Sequence, residues 1–228
     1  MPPKGLPRPE ETWAGDVVDV PVDVVPVLNR DEIFQGRVWS VVRETVRIGP
    51  TEAVRDVLIH PGAVAVIAVD DEDRLLLIRQ YRHPVSMYLF EPPAGLLDVA
   101  GESPQRTAAR ELAEEAGIVA ATWQVLVDLF NSPGGSTEAI RVYLASDLTA
   151  LPQGRPSTGE AEEAHLPQVW VPLDEAVELV LSGAIGSPPA VAGILALDAV
   201  RRRDGRGLRA ADSPWRPRDW LLSRQRLS

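Results

Sequence analysis

The run Arg110-Glu111-Leu112-Ala113-Glu114-Glu115 holds the side chains best suited to chemistry. On a helix, at about 100° per residue, Glu111 and Glu115 stand one turn apart and Glu114 lies within about 60° of Glu111. Three carboxylates then crowd one face, while Ala109, Leu112 and Ala116 point away toward a core. Like charges one turn apart cost roughly a few tenths of a kcal/mol even in water. Something positive must offset them, either Arg110 or a divalent cation, since hard cations favour clustered oxygen ligands. Taken alone, the helix reads as a solvated acidic face. Its surroundings favour the cation: Pro93-Ala94-Gly95 are small residues whose carbonyls can approach a metal, and Glu102 adds an acid at the loop-to-helix junction.

Composition narrows the choice of metal. The chain has 228 residues and no cysteine, and its only imidazoles are His60, His83 and His165. Thiol catalysis, disulfides and Cys-based zinc or iron–sulfur sites are excluded, and a multi-His site nearly so. An oxygen-bound ion remains, which means Mg²⁺, Mn²⁺ or Ca²⁺. The formal net charge is −10, which argues against nucleic acid or an anionic membrane as a partner. The tail, residues 201–228, is the exception, with nine Arg and three Asp. It reads as a segment folded over the acidic body, with an arm for nucleic acid or an acidic partner as the alternative. No run reaches about 18 apolar residues, and the start resembles no signal peptide, so a cytoplasmic protein is expected.

The elements that must position these acids follow from pattern. Residues 1–15 read as a disordered arm rich in proline. Residues 16–60 hold β-branched runs at Val17–Val25, Val38–Ile48 and Val54–Ile59, with a turn at Gly49-Pro50. Gly62–Val69 and Arg74–Arg82 predict a hairpin around Asp70–Asp73. Glu91–Gly95 predicts a loop, since adjacent prolines cannot occupy a central strand. Ser103 as N-cap, Pro104 at N1 and Gly117 past the end bound the acidic helix. Strands at Thr122–Phe130, Ala139–Ala145 and Gln168–Val171 follow, with a polar loop at Ser146–Pro167 and helices at Leu173–Ser182 and Pro189–Arg203. The expected divisions are 1–15, 16–60, 61–203 and 204–228.

The segment resembles a Nudix box, whose pattern is Gly, five residues, Glu, seven residues, then Arg-Glu-apolar-x-Glu-Glu-x-Gly-apolar. Every position from Glu102 to Ile118 matches. Gly95 departs from it, with six residues before Glu102, an insertion that a loop absorbs cheaply. Arg55, His60-Pro-Gly, Gln80-Tyr-Arg82-His, Glu91-x-Pro-Ala-Gly, Ser132-Pro-Gly, Glu138 and Glu162-Glu163 resemble the ADP-ribose pyrophosphatase branch of that family. The likeness covers roughly residues 16 to 200.

The resemblance implies an α/β/α Nudix sandwich with a mixed sheet, plus an N-terminal antiparallel β extension. It implies Mg²⁺-dependent hydrolysis of ADP-ribose to AMP and ribose 5-phosphate, with Mn²⁺ as a substitute. The alternatives are another nucleotide sugar or dinucleotide such as GDP-mannose, or a non-catalytic ADP-ribose-binding regulator. Glu111 and Glu115, with the Ala94 carbonyl, are the implied metal ligands, Glu114 a ligand or its partner, and Arg110 the group that orients them. Glu163 is the implied base, with Glu160 and Glu162 as alternatives. Arg55 and Arg82 are the implied contacts to phosphate or ribose, since a guanidinium fork matches such oxygens. Arg79 is a weaker candidate, a cross-strand ion pair being its other reading. Trp39 stacks on the base or serves as a core or interface aromatic. Glu91 and Glu138 bind ribose hydroxyls or help place metal. The branch also implies a homodimer with exchanged N-terminal strands, in which Arg55 and Trp39 serve the partner's site.

Overall fold

The structure, a computed structural model, describes residues 15–22, 25–155 and 166–227. Its first strands are β1 (Val27–Gln35), β2 (Ser40–Ile48) and β3 (Thr51–Ile59), an antiparallel meander. Gly49, at φ 58, turns the second hairpin. Arg30 faces Glu44, Arg43 faces Asp56 and Arg47 faces Glu52 across the strands, with ion-pair distances of 2.9, 2.7 and 2.9 Å. Directly opposed charges of this kind set register. Only Val42 and Val46 of this sheet are buried. The expected strand at Val17–Val25 is absent from the described part of that run: residues 17–22 are irregular and exposed, and pairing starts at Val27.

Next come β4 (Ala63–Ala68), β5 (Arg74–Arg82), β6 (Met87–Glu91), β7 (Ala94–Leu96) and α1 (Pro104–Ala116). Then follow β8 (Ile118–Phe130), β9 (Ala139–Ala150), β10 (Gln168–Pro172), α2 (Leu173–Leu181), α3 (Pro188–Arg201), β11 (Arg209–Ala210) and α4 (Arg216–Leu227). One sheet has the order β11-β8-β9-β4-β7, with β4 and β9 parallel and the other pairs antiparallel. A second has the order β10-β5-β6.

The expected hairpin of β4 and β5 is therefore a turn between two sheets. Its ends share one bridge, Val69 with Leu75, and the strands then part. Both edges of β4 are already taken, by β9 and by β7, so no hydrogen-bonding edge is left for β5. The turn itself stands as expected: Asp70 Oδ1 accepts the N–H of Glu72 at 3.0 Å and of Arg74 at 2.9 Å. The strand after the acidic helix starts earlier than expected, and β9 runs on to Ala150, shortening the polar loop.

Alternation along β4 divides the core. Val64, Val66 and Ala68 face α1 and pack with Ala108, Leu112, Ala116, Val125 and Tyr143. Ala65, Ile67 and Val69 face the other way and pack with Val142, Ala190, Ile194 and Leu197. The sheet is thus sandwiched between α1 and α3, the α/β/α arrangement expected, with its antiparallel N-terminal strands. Gly193 allows α3 to close on β4: a Cβ there would lie 2.7 Å from Ile67.

The basic tail packs on the body. Arg141, 2% exposed, grips Asp128 with Nε at 2.7 Å and Nη2 at 3.0 Å, and its Nη1 donates to the Ser213 carbonyl at 2.7 Å. Its guanidinium also stands 4.8 Å from the ring centre of buried Trp215, and Arg209 reaches Asp128 at 2.8 Å. Among the described residues no helix is long and apolar enough to cross a membrane. Trp215→Ala empties the socket that seats the tail. It should destabilise the protein by about 3–5 kcal/mol, read as a lower urea midpoint with a similar slope.

Candidate functional site

Helix α1 begins and ends as its residues dictate. Ser103 is the N-cap, its hydroxyl accepting the Arg106 N–H at 3.4 Å, and Pro104 opens the first turn. Gly117, at φ 69, ends the helix, and its N–H donates to the carbonyls of Leu112 and Ala113. Ala108, Leu112 and Ala116 form the buried stripe; Ala108, not Ala109, takes the first core position. That rotation carries Glu111 and Glu115 to the edge of the stripe, where β7 passes.

The acids are not a solvated face. Glu111 is 9% exposed and Glu115 is 5% exposed. Burial of charge needs partners, and they are present. Arg110 Nη1 donates to Glu111 Oε1 at 2.8 Å and to Glu114 Oε2 at 3.0 Å. Its Nε and Nη2 donate to Glu102 at 3.3 and 3.1 Å, and Thr107 Oγ1 donates to the same carboxylate at 2.9 Å. Arg110 holds Glu102 below the usual carboxylate range, and that hydrogen bond in turn raises the pKa of Arg110. The Ala94 N–H donates to Glu115 Oε2 at 2.9 Å. A Cβ on Gly95 would lie 2.0 Å from Glu111 Oε1, so only glycine leaves room for that carboxylate.

Three carboxylates thus surround one guanidinium, and a fourth, that of Glu115, stands beside the backbone of β7. Hard divalent cations suit such a donor set, and the space beside Gly95 is filled by a carboxylate rather than by a methyl group. Among the described residues, no three Asp, Glu or His side chains already converge on one point. The acids lie side by side, with Arg110 between two of them.

The remaining expected residues are more dispersed. Arg82 donates to Glu91 at 2.7 Å, and buried Glu91 also accepts the Ser187 hydroxyl at 2.7 Å, tying β6 to the start of α3. Arg79 does not make the cross-strand ion pair; its guanidinium lies 4.2 Å from the ring centre of Tyr88. Glu138 accepts from Asn131 at 2.7 Å and faces His60 at 3.9 Å. Burial lowers the pKa of His60. Arg55 lines a cleft of about 1000 Å³ with Arg30, Phe130, Trp220 and Arg224, whose walls include none of the α1 acids. Trp39 packs against Phe34 with ring centres 6.1 Å apart, and is absent from the cleft lining. Within this one chain, Arg55 and Trp39 are therefore not gathered to the acids. Glu160, Glu162 and Glu163 lie outside the described residues. Ser187 and Thr107 escape a reading of sequence, because a lone hydroxyl carries no spacing signal.

The NUDIX domain family matches residues 59–192. The chain is 47% identical over 174 residues to an ADP-ribose pyrophosphatase of Mycobacterium tuberculosis, covering 76% of this chain and 83% of that protein. It is 37% identical over 155 residues to an ADP-ribose pyrophosphatase of Bacillus subtilis, covering 67% of this chain and 81% of that one. A solved structure described as an ADP compounds hydrolase superposes with a TM-score of 0.70 at 25% identity, covering 82% of this chain and 100% of that chain.

Gly95→Ala should drive the Glu111 carboxylate from its seat. Displacement of a positioned group by about 1 Å can cost about 100-fold in rate. The expected result is a loss of that order in turnover with secondary structure retained, checked by steady-state kinetics and circular dichroism.

Proposed function

The chain belongs to the Nudix hydrolase family, and from that premise we propose that it hydrolyses the diphosphate of ADP-ribose to AMP and ribose 5-phosphate, using Mg²⁺. The observation that carries this reading is the pair of nearly buried carboxylates, Glu111 and Glu115, on one helical face against the backbone of Ala94 and Gly95. A diphosphate is anionic, and bare carboxylates repel it, so a cation must reverse the local sign. Glu111, Glu115 and the Ala94 carbonyl hold that cation, with Glu114 as a further ligand or its hydrogen-bonding neighbour. When bound, a divalent ion would polarise phosphoryl oxygens and acidify a water toward neutrality. Mn²⁺ has the same hard-ligand preference and substitutes for it.

The chain's own residues do the rest. Arg110 fixes the aim of Glu111 and Glu114 through charge-assisted hydrogen bonds. Glu163 takes the proton of the attacking water. Water attacks phosphorus, the bridging oxygen leaves with its electron pair, and no covalent intermediate forms. Arg82 contacts the ribose or phosphate, and Glu138 meets ribose hydroxyls. Arg55 and Trp39 act on the partner's site in a homodimer. The N-terminal meander supports that assembly: Ile33, Phe34, Val38, Trp39 and Val54 are exposed there, apolar surface that a second copy of this chain would cover.

A panel of diphosphates with Mg²⁺ tests the reaction. ADP-ribose should yield AMP and ribose 5-phosphate, with GDP-mannose untouched; preferential cleavage of GDP-mannose would reassign the substrate. Glu111→Gln should abolish turnover even at raised Mg²⁺. Glu163→Gln should lower kcat by about 100-fold while the Kd for ADP-ribose stays nearly constant, and full activity there would place the base elsewhere.

A further inference from the structure

The last turn of α1 is held from outside the acid cluster. Arg155 Nε donates to the Glu114 carbonyl at 3.0 Å. Gln168 Nε2 donates to the Glu115 carbonyl at 3.2 Å and to the Ala116 carbonyl at 3.3 Å. The Leu151 N–H donates to the Gly117 carbonyl at 2.8 Å. The last carbonyls of a helix lack internal partners, and here two of them belong to the residues whose side chains form the acid cluster.

Shape and charge agree with this grip. A Cβ on Gly117 would stand 2.9 Å from the Arg155 nitrogen, so the bare glycine lets residues 154–155 lie against the helix end. Glu114 and Glu115 sit at the negative end of the helix dipole, where a carboxylate is disfavoured and a cation favoured. The helix has no basic residue in its own last turn, and Arg155 supplies that charge from 41 residues away in sequence. Gln168 opens β10 and pairs with Ile78 of β5, so its side chain ties the helix end to the second sheet.

We propose that Arg155 and Gln168 are positioning residues that fix the main chain beneath Glu114 and Glu115, so that their carboxylates meet the divalent cation in the correct aim. This rests on the reading of those carboxylates as cation ligands. Both donate to main-chain carbonyls of α1. They act through α1, as partners behind metal ligands do.

The test uses the full-length protein with Gln168→Met, which keeps side-chain length and loses the donor, and with Arg155→Leu and Arg155→Lys. Mn²⁺ affinity of the substrate-free protein is read by electron paramagnetic resonance. Mg²⁺ half-saturation and the KM for ADP-ribose are read by kinetics, and Tm by calorimetry. Gln168→Met and Arg155→Leu should each weaken Mn²⁺ binding by about 10-fold and raise the Mg²⁺ half-saturation in step. KM at saturating Mg²⁺ should stay within about twofold, and Arg155→Lys, which keeps a cationic donor, should recover most of the affinity. Unchanged Mn²⁺ affinity in both donor-less variants, even with a lowered Tm, would overturn the positioning role. Glu115→Gln, measured alongside, separates the two ideas: wild-type Mn²⁺ affinity there would remove the ligand assignment itself.

Discussion

One guanidinium makes the acidic helix tolerable. Arg110 bonds to Glu102, Glu111 and Glu114 at once, and its charge offsets their mutual repulsion and partial desolvation. A buried charge that loses its partner is strongly destabilising, by about 3–5 kcal/mol. The fold therefore holds a cluster of excess negative charge on one arginine. The rigid fork of arginine suits the task, because three carboxylates approach it from different directions. A lysine would offer a point charge without those fixed angles.

The scaffold serves this arrangement through the strand pairings of β4. Its parallel partner β9 and its antiparallel partner β7 occupy both edges, and β7 brings Ala94 and Gly95 to the acids. The buried stripe of α1 fixes helix rotation, which decides that Glu111 and Glu115 end up at the helix–strand seam. Core packing and site geometry are thus the same constraint: turning α1 to relieve the acids would expose Leu112.

What was legible in the sequence was what neighbours decide. Ser103, Pro104 and Gly117 mark the ends of α1 because caps act within a turn, and the crowding of Glu111, Glu114 and Glu115 follows from helical period. The parting of β4 and β5 was not legible, since it depends on which distant strands compete for an edge. Arg79 shows the same limit: its guanidinium lies 4.2 Å from the ring centre of Tyr88, nine residues on, a pairing set by the strand register of β5 and β6. The socket for Trp215 needs Arg141, a cation 74 residues earlier with no spacing signal to announce it. Arg55 and Trp39 were legible as residue types but not in their placement, which sets them away from the acids of their own chain.

The N-terminal meander has two buried side chains, and three opposed pairs of charge align its strands. Sliding β2 by two places against β3 would leave Arg43 and Arg47 facing apolar residues or the turn instead of Asp56 and Glu52. Alignment in this sheet is therefore written in coulombic attraction more than in apolar contact. Such attraction fades as the Debye length contracts from about 10 Å at 0.1 M to about 3 Å at 1 M ionic strength. Brine would blur this sheet's pairing long before it troubled the apolar sandwich beside it.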